Sequence, residues 1–236
     1  MKLKKKKISS RPSFLEENKL WKNGYKHIIG IDEVGRGAFA GPVVVGAVVL
    51  NKDNPYQGYQ GIIPGEINDS KLLSPRNREI LDKEIRKCAQ FYSIAEVGVS
   101  VINKVGIGKA TKIAFRKVVK SIICNENQEI QNSKYQILNT KYFMLVDGFH
   151  IKYIKGVGLK NQKAIIKGDR KSISIAAASI IAKVYRDKLM KDLAKKYREY
   201  HFEDNKGYGT KEHQIAIKKY GLSRIHRKSF NLKKFQ

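Results

Sequence analysis

Apolar and polar positions alternate between two rhythms along this chain. From Lys26 the apolar content rises, and "HIIGIDEV" and "VVVGAVVL" are β-branched runs separated by Gly41-Pro42, which predicts a buried hairpin made of the first two strands. After a Pro-, Gly- and Asn-rich loop, "NKDNPYQGYQGIIPGEIND", Ser74 followed by Pro75 predicts a helix start, with Ile80, Leu81, Ile85 and Cys88 on one face. "FYSIAEVGV" alternates as a strand. "GKATKIAFRKVVKSIIC" spaces Ile113, Ala114, Val118 and Ile122 as an amphipathic helix, and the Asn-rich stretch after it predicts a surface connection. "KYFMLVDG" then predicts a short buried strand, and "AIIKGD" repeats its pattern of apolar run, glycine and aspartate. An Ala-rich helix is predicted from Ser172 through Tyr197, and a shorter one is capped by Thr210 with Glu212 and His213 in its first turn.

No internal repeat or low-complexity linker divides the 236 residues. A single domain over residues 26–236 is therefore expected, preceded by a basic, weakly patterned and loosely packed arm over residues 1–25. Composition adds one lopsided number: 48 Lys plus Arg against 21 Asp plus Glu gives a formal charge of +27. That charge favours a polyanionic partner, and a lysine-rich solvated surface explains it equally well. No apolar run reaches about 18 uninterrupted residues, so no membrane partner is expected. The leader "MKLKKKKISSRPSF" lacks the apolar segment of about 7 to 15 residues that a signal peptide needs, and a cytoplasmic location follows as the expectation. Cys88 and Cys124 have no Cys or His neighbour at metal-ligand spacing and read as buried free thiols in a reducing compartment.

Carboxylates recur where apolar strands end: Asp32 and Glu33, then Asp147, then Asp169. A buried carboxylate must be paired or must bind a cation, because an unpaired charge in a low-dielectric core costs several kcal/mol, on the order of 3 or more. Oxygen-only ligands point to Mg²⁺ or Mn²⁺ rather than zinc. Two such ions about 3.5 to 4 Å apart are a recurring device for in-line phosphodiester displacement. Taken singly, each acid also reads as a cap, a turn residue or an ion-pair partner, and Asp147-Gly148 reads as a turn. Adjacent strand residues point to opposite faces, so Asp32 and Glu33 share a metal only if the strand bends or bulges there. Gly35, Arg36 and Gly37 supply backbone freedom and an arginine fork beside the acids.

The stretches "GIDEVGRGAFAGPVVVGAVVL", "NDSKLLSP", "LVDG", "KGDRKSISIAAASIIAKVYRD", "NKGYGTKEH" and "GLSRIHRKSF" occur in the order found in ribonuclease HII, and the chain resembles that family over roughly Ile28 to Phe230. The resemblance implies a ribonuclease H-like α/β fold, a mixed central β-sheet flanked by helices, with a helical C-terminal region. It implies an endonuclease that cuts RNA in RNA/DNA hybrids and nicks 5′ to a single ribonucleotide embedded in duplex DNA, leaving a 3′-hydroxyl. Asp32, Glu33, Asp147 and Asp169 would be the catalytic acids, holding Mg²⁺ or Mn²⁺ in a two-metal site. Gly35, Arg36 and Gly37 would contact the ribose 2′-hydroxyl, and Tyr208 would stack on the sugar of the next deoxynucleotide.

Lys71, Ser179 and Lys183 would similarly hold phosphates near the cut, while Ala176, Ala177 and Ala178 serve as small residues at a helix–sheet contact. Arg186 with Asp187 reads as a structural ion pair, and His213 and His226 are left outside catalysis. A monomer is expected. Two readings compete: the sister ribonuclease HIII, which prefers longer hybrids and carries an N-terminal sheet domain for which the short leader has no room, and a catalytically silent basic binder of duplexes.

Overall fold

Strands β1 (His27–Val34) and β2 (Val43–Leu50) pair antiparallel through Ile29↔Val49 to Val34↔Val44, the hairpin expected from their β-branched runs. The computed structural model describes residues 11–51, 67, 70, 73–131, 142–154, 157–232 and 235, with residues 125–131 described in backbone only. Strand β3 (Ala89–Val97) extends the hairpin antiparallel, while β4 (Tyr142–Asp147) and β5 (Gln162–Ile165) continue it in parallel on the other side of β1. The sheet order is β3-β2-β1-β4-β5, a mixed five-stranded sheet. Every residue of β2 is buried, as a strand covered on both faces requires.

Side-chain alternation divides the core in two. Ile29, Ile31, Val45, Ala47 and Met144 face α4 (Ile107–Gln131), which follows the short α3 (Val99–Val105) and brings Ala114, Phe115, Val118 and Ile122. Ile28, Val48 and Leu145 face α5 (Ile173–Ala194), with Leu81 and Ile85 of α2 (Pro75–Cys88) beside them. A third apolar cluster holds the C-terminal end: Met190 and Ala194 of α5, Tyr200, Phe202 of the short α6 (Phe202–Asn205), and Ala216 and Ile217 of α7 (Lys211–Tyr220). Ser74 caps α2 by accepting the Asn77 N–H, and Thr210 caps α7 by accepting the His213 N–H, both as the sequence predicts.

Helix α5 approaches the sheet at backbone distance. A Cβ on Gly30 would sit 2.1 Å from the Ser174 carbonyl carbon, and one on Gly46 would sit 2.5 Å from the Ala178 oxygen and 3.1 Å from the Ala182 Cβ. A Cβ on Gly35 would lie 2.0 Å from Arg186 Nε, and one on Gly41 2.5 Å from Met190 Sδ. The helix residues in these contacts, 174, 178, 182, 186 and 190, recur every fourth position, one stripe along α5. Three glycines under successive turns would mean little alone; four of them opposite one stripe make a track that only this helix fills. Ala176, Ala177 and Ala178 are fully buried at this contact.

Four expectations change. The thiols are not both buried: Cys88, the last residue of α2, is partly exposed, and Cys124, toward the far end of α4, is exposed. The loosely packed arm is, from residue 11, packed structure: α1 (Leu15–Lys22) buries Leu20 and Trp21, and Glu17 Oε1 accepts hydrogen bonds from Ser172 Oγ (2.6 Å), Ser174 N (3.0 Å) and Ser174 Oγ (2.7 Å) at the start of α5. The helical rhythm at α2 overstates its face, since Ile80 is 49 % exposed while Asp82 is buried and bonded to Arg86. Helix α4 also runs into the Asn-rich stretch as far as Gln131, because nothing there breaks it. The loop expected around residues 52–66, the rest of the Asn-rich stretch from 132 to 141, and Lys71 lie outside the described residues. No helix among the described residues is long and apolar enough to cross a membrane.

A methyl group has no room at the start of the glycine track. Gly30→Ala is expected to lower stability by about 3 kcal/mol, the upper part of the usual range for overpacking, seen as a lower urea midpoint at an unchanged slope. An unchanged midpoint would show that α5 can move away from β1 without loss.

Candidate active site

The sheet register decides where the acids fall. Asp32 is on the α5 face of β1, and because Ile31 pairs with Val146, Asp147 falls beside it at the end of β4 on the same face. Asp32 is 6 % exposed. Its Oδ1 accepts the Glu33 N–H at 2.7 Å, and the Ser179 hydroxyl of α5 donates to it. Ser179 Oγ in turn lies 3.0 Å from Ser70 Oγ. Asp147 Oδ1 accepts the Gly168 N–H at 2.7 Å, which brings in the 3₁₀ turn Gly168–Arg170 that carries the buried Asp169. Lys167, in the left-handed region at φ 56°, makes the turn from β5 into that segment.

Glu33 leaves the strand on the opposite face, and its Oε1 is 3.5 Å from Arg36 Nη1. The bend or bulge that a shared metal would require is not at Asp32–Glu33: β1 keeps its pairing with β2 through Val34, and the chain turns only at Gly35, φ 85°. Asp32 and Glu33 therefore leave β1 on opposite faces.

Burial pushes the Asp32 carboxyl well above the ordinary aspartate value, and the negative charges of Glu33 and Asp147 push it further in the same direction. The strongest opposing influence is the neutral Ser179 hydroxyl rather than a cation. A desolvated carboxylate with two like-charged neighbours and an all-oxygen donor set fits a hard divalent ion. The four acids do not converge as a ready set, however. Among the described residues, only the exposed His201, Glu203 and Asp204 place three possible ligand atoms within 4.8 Å of one another.

Beside the acids lies a second group of polar residues. Arg36 is half exposed, with its guanidinium 5.3 Å from the centre of the Phe149 ring. Phe39 N and Ala40 N donate to the Gly207 carbonyl at 2.7 and 3.2 Å, which joins the Gly35–Gly41 loop to the turn carrying Tyr208. Tyr208 is 37 % exposed, and the Arg186 guanidinium lies 5.3 Å from its ring centre.

A family model described as ribonuclease HII matches residues 29–233. The chain belongs to the ribonuclease HII family. The Caldicellulosiruptor bescii ribonuclease HII is 42 % identical over 225 residues, covering 95 % of this chain and 96 % of that one. The Archaeoglobus fulgidus ribonuclease HII, solved in its PCNA complex, matches with a TM-score of 0.64 at 23 % identity, covering 87 % of this chain and 95 % of that one. The Bst ribonuclease HIII solved with Mn²⁺ matches with a TM-score of 0.65 at 17 % identity, covering 95 % of this chain and 72 % of that one. Both structures share the ribonuclease H-like fold. As a member of this family, the chain is an endonuclease of the ribonuclease H type.

Two residues expected at phosphates have protein partners in this chain. Ser179 is 2 % exposed and donates its hydroxyl to Asp32 while accepting from Ser70, because it lies on the α5 stretch pressed against the sheet. Lys183 Nζ donates to Asp187 Oδ1 at 2.6 Å and is mostly buried, so it makes the ion pair that was expected of Arg186. Arg186 is fully buried and donates instead to the carbonyls of Pro42 (3.1 Å), Lys206 (2.9 Å) and Ala40 (3.3 Å). Sequence reasoning also missed Arg227, equally buried, which donates to the Gly41 carbonyl (2.9 Å) and the Arg36 carbonyl (2.8 Å). The signal was a basic residue inside an apolar helical run for Arg186; for Arg227 there was none.

An acid whose pKa is higher folded than unfolded holds its proton more tightly in the native state, so stability is lost as pH rises from the unfolded pKa toward the folded one. Asp32→Asn keeps an acceptor for the Glu33 N–H and removes the charge. In metal-free protein it is expected to be more stable than wild type at neutral pH, with the gap closing as pH falls toward 3.8. Denaturation at a series of pH values checks this, and an equally or less stable variant at pH 7 contradicts it.

Proposed function

We propose that this endonuclease, which acts on RNA/DNA hybrids, also nicks duplex DNA on the 5′ side of a single embedded ribonucleotide and leaves a 3′-hydroxyl. The observation that carries this reading is the hydrogen-bonded union of the loop following Asp32 and Glu33 with the Tyr208 turn, through Phe39, Ala40 and Gly207. A ribose reader and a stacking ring held against each other beside the acids suit recognition of one RNA-to-DNA step.

In this reading Asp32, Glu33, Asp147 and Asp169 hold two Mg²⁺ or Mn²⁺ ions. Bound there, the ions supply a nucleophilic water at neutral pH and counter-charge for the leaving oxygen. Ser179 orients Asp32, and the Gly168 N–H orients Asp147. Arg36, braced by Phe149, and the backbone of Gly35 and Gly37 approach the 2′-hydroxyl, the one group that distinguishes RNA from DNA at a given sugar. Nothing lies within 4 Å of a Cβ built on Gly37, so its backbone is open to a ligand. Tyr208 offers an exposed ring face to the following sugar, and Lys71 meets a phosphate near the cut. The +27 net charge supplies long-range attraction to the duplex.

With Mg²⁺ or Mn²⁺, a DNA duplex containing one ribonucleotide is expected to be nicked once, 5′ to that residue, and an all-DNA duplex to remain whole. Efficient cutting of long hybrids with little single-ribonucleotide nicking would replace this reading with a ribonuclease HIII-like preference. Asp147→Asn is expected to abolish cleavage, at least about 10³-fold as for loss of a central electrostatic group, while binding of the same duplex persists. Cleavage that survives in this variant would remove Asp147 from the site. Tyr208→Ala is expected to reduce junction nicking by roughly tenfold, in line with the loss of one stacked ring, and an unchanged rate would refute stacking.

A further inference from the structure

His213 and His226 face each other in the C-terminal apolar cluster, with Nε2 atoms 3.0 Å apart and neither ring exposed. Phe202 and Tyr200 pack edge-on against them, with centroid distances of 5.3 Å to His213 and 4.8 Å to His226. Neither histidine can serve as a proton shuttle to substrate from this enclosure, and the proposed reaction leaves them without a task.

The backbone settles which nitrogen carries each proton. Ser223 N–H donates to His226 Nδ1 at 2.9 Å, and since a backbone amide can only donate, that nitrogen is the acceptor. The His226 proton therefore resides on Nε2 and points at His213 Nε2. His213 must accept there, which leaves its proton on Nδ1, and Nδ1 donates to the Tyr208 carbonyl at 2.8 Å. Every bond in the chain from Ser223 to Tyr208 is thus directed one way. Burial keeps both rings neutral, with His226 brought down to about 4 and His213 also lowered. Protonation of His213 would set two Nε2 hydrogens against each other, and protonation of His226 would set an Nδ1 hydrogen against the Ser223 N–H.

The same C-terminal segment grips the other reader. Gly41 N donates to the Ile225 carbonyl at 2.9 Å, Ala40 and His226 form an antiparallel bridge, and Arg227 N donates to the Phe39 carbonyl at 2.8 Å. Arg227 then reaches the Arg36 carbonyl with its side chain. Residues 223–227 hold the Gly35–Gly41 loop directly and Tyr208 through the two rings.

We propose that His213 and His226 are positioning residues, a neutral imidazole relay that sets Tyr208 at a fixed placement relative to the Gly35–Gly41 loop and so couples reading of the ribose to reading of the next sugar. This rests on the stacking role proposed for Tyr208. The relay acts on choice of junction, not on bond cleavage itself.

The test is the ratio of single-ribonucleotide nicking to long-hybrid cleavage in His213→Asn, His213→Gln, Tyr208→Ala and the double variant His213→Gln with Tyr208→Ala. An asparagine amide occupies the place of Nδ1 and keeps the bond to the Tyr208 carbonyl; a glutamine amide occupies the place of Nε2 and loses it. His213→Gln is expected to lower the ratio by about tenfold, the value of one buried hydrogen bond, and His213→Asn to hold it within about twofold. In the Tyr208→Ala background His213→Gln should lower the ratio no further. A ratio unchanged by His213→Gln, where Tyr208→Ala does lower it, overturns the relay and spares stacking; a further drop in the double variant overturns it too. If Tyr208→Ala leaves the ratio unchanged, stacking fails and the relay loses its purpose. Nitrogen-15 spectra of the wild-type protein give a readout that survives any folding defect: a proton on Nδ1 of His213 and on Nε2 of His226 is expected, and the opposite tautomers overturn the proposal.

Discussion

The contact between α5 and the first two strands at backbone distance governs this molecule. Four glycines give up their side chains so that one helical stripe can lie directly on β1, β2 and the loop between them. That approach brings the Ser179 hydroxyl to Asp32 and threads the Arg186 side chain past Gly35 to three loop carbonyls. A helix standing at the usual distance of about 10 Å from a sheet would reach neither. Core packing and site geometry are therefore one arrangement, and a residue that loosens the first misplaces the second.

Within that frame the acids are held in opposition to their own preference. Sheet register sets Asp32 beside Asp147, α5 and the strands exclude water from Asp32, and Glu33 adds a further like charge. Apolar burial elsewhere supports this local electrostatic strain. A protein selected for stability alone would place amides or apolar residues there. The two buried arginines show a milder form of the same compromise, since neutral carbonyls stand where a carboxylate would satisfy them better. They join segments far apart in sequence, which a paired surface arginine cannot do.

The strands, the two serine and threonine caps, the hairpin and the strand-end acids were legible in the sequence because each depends on neighbours within a few residues. What was not legible depends on distant partners. Glu17 looks like one more polar residue in a basic leader until Ser172 and Ser174 arrive to meet it. Arg186 next to Asp187 suggests a pair, yet on a helix adjacent residues diverge, and Asp187 turns to Lys183 one turn earlier. Ile80 satisfies the helical period but lies on the rim, where periodicity cannot count how far the neighbouring elements extend. At Glu33 the backbone freedom legible in the glycines comes one step too late to bend the strand, since Gly35 turns only after the last paired residue, Val34.

The bond from Glu17 to Ser172 spans 155 positions. As the polypeptide emerges from the ribosome, Glu17 is made early but its serine partners arrive only after some two-thirds of the chain has followed it. Loop-closure entropy must be met before that contact rewards it. The start of α5, just past the turn carrying Asp169, is thus tied to α1 by bonds that close one of the longest loops in the chain.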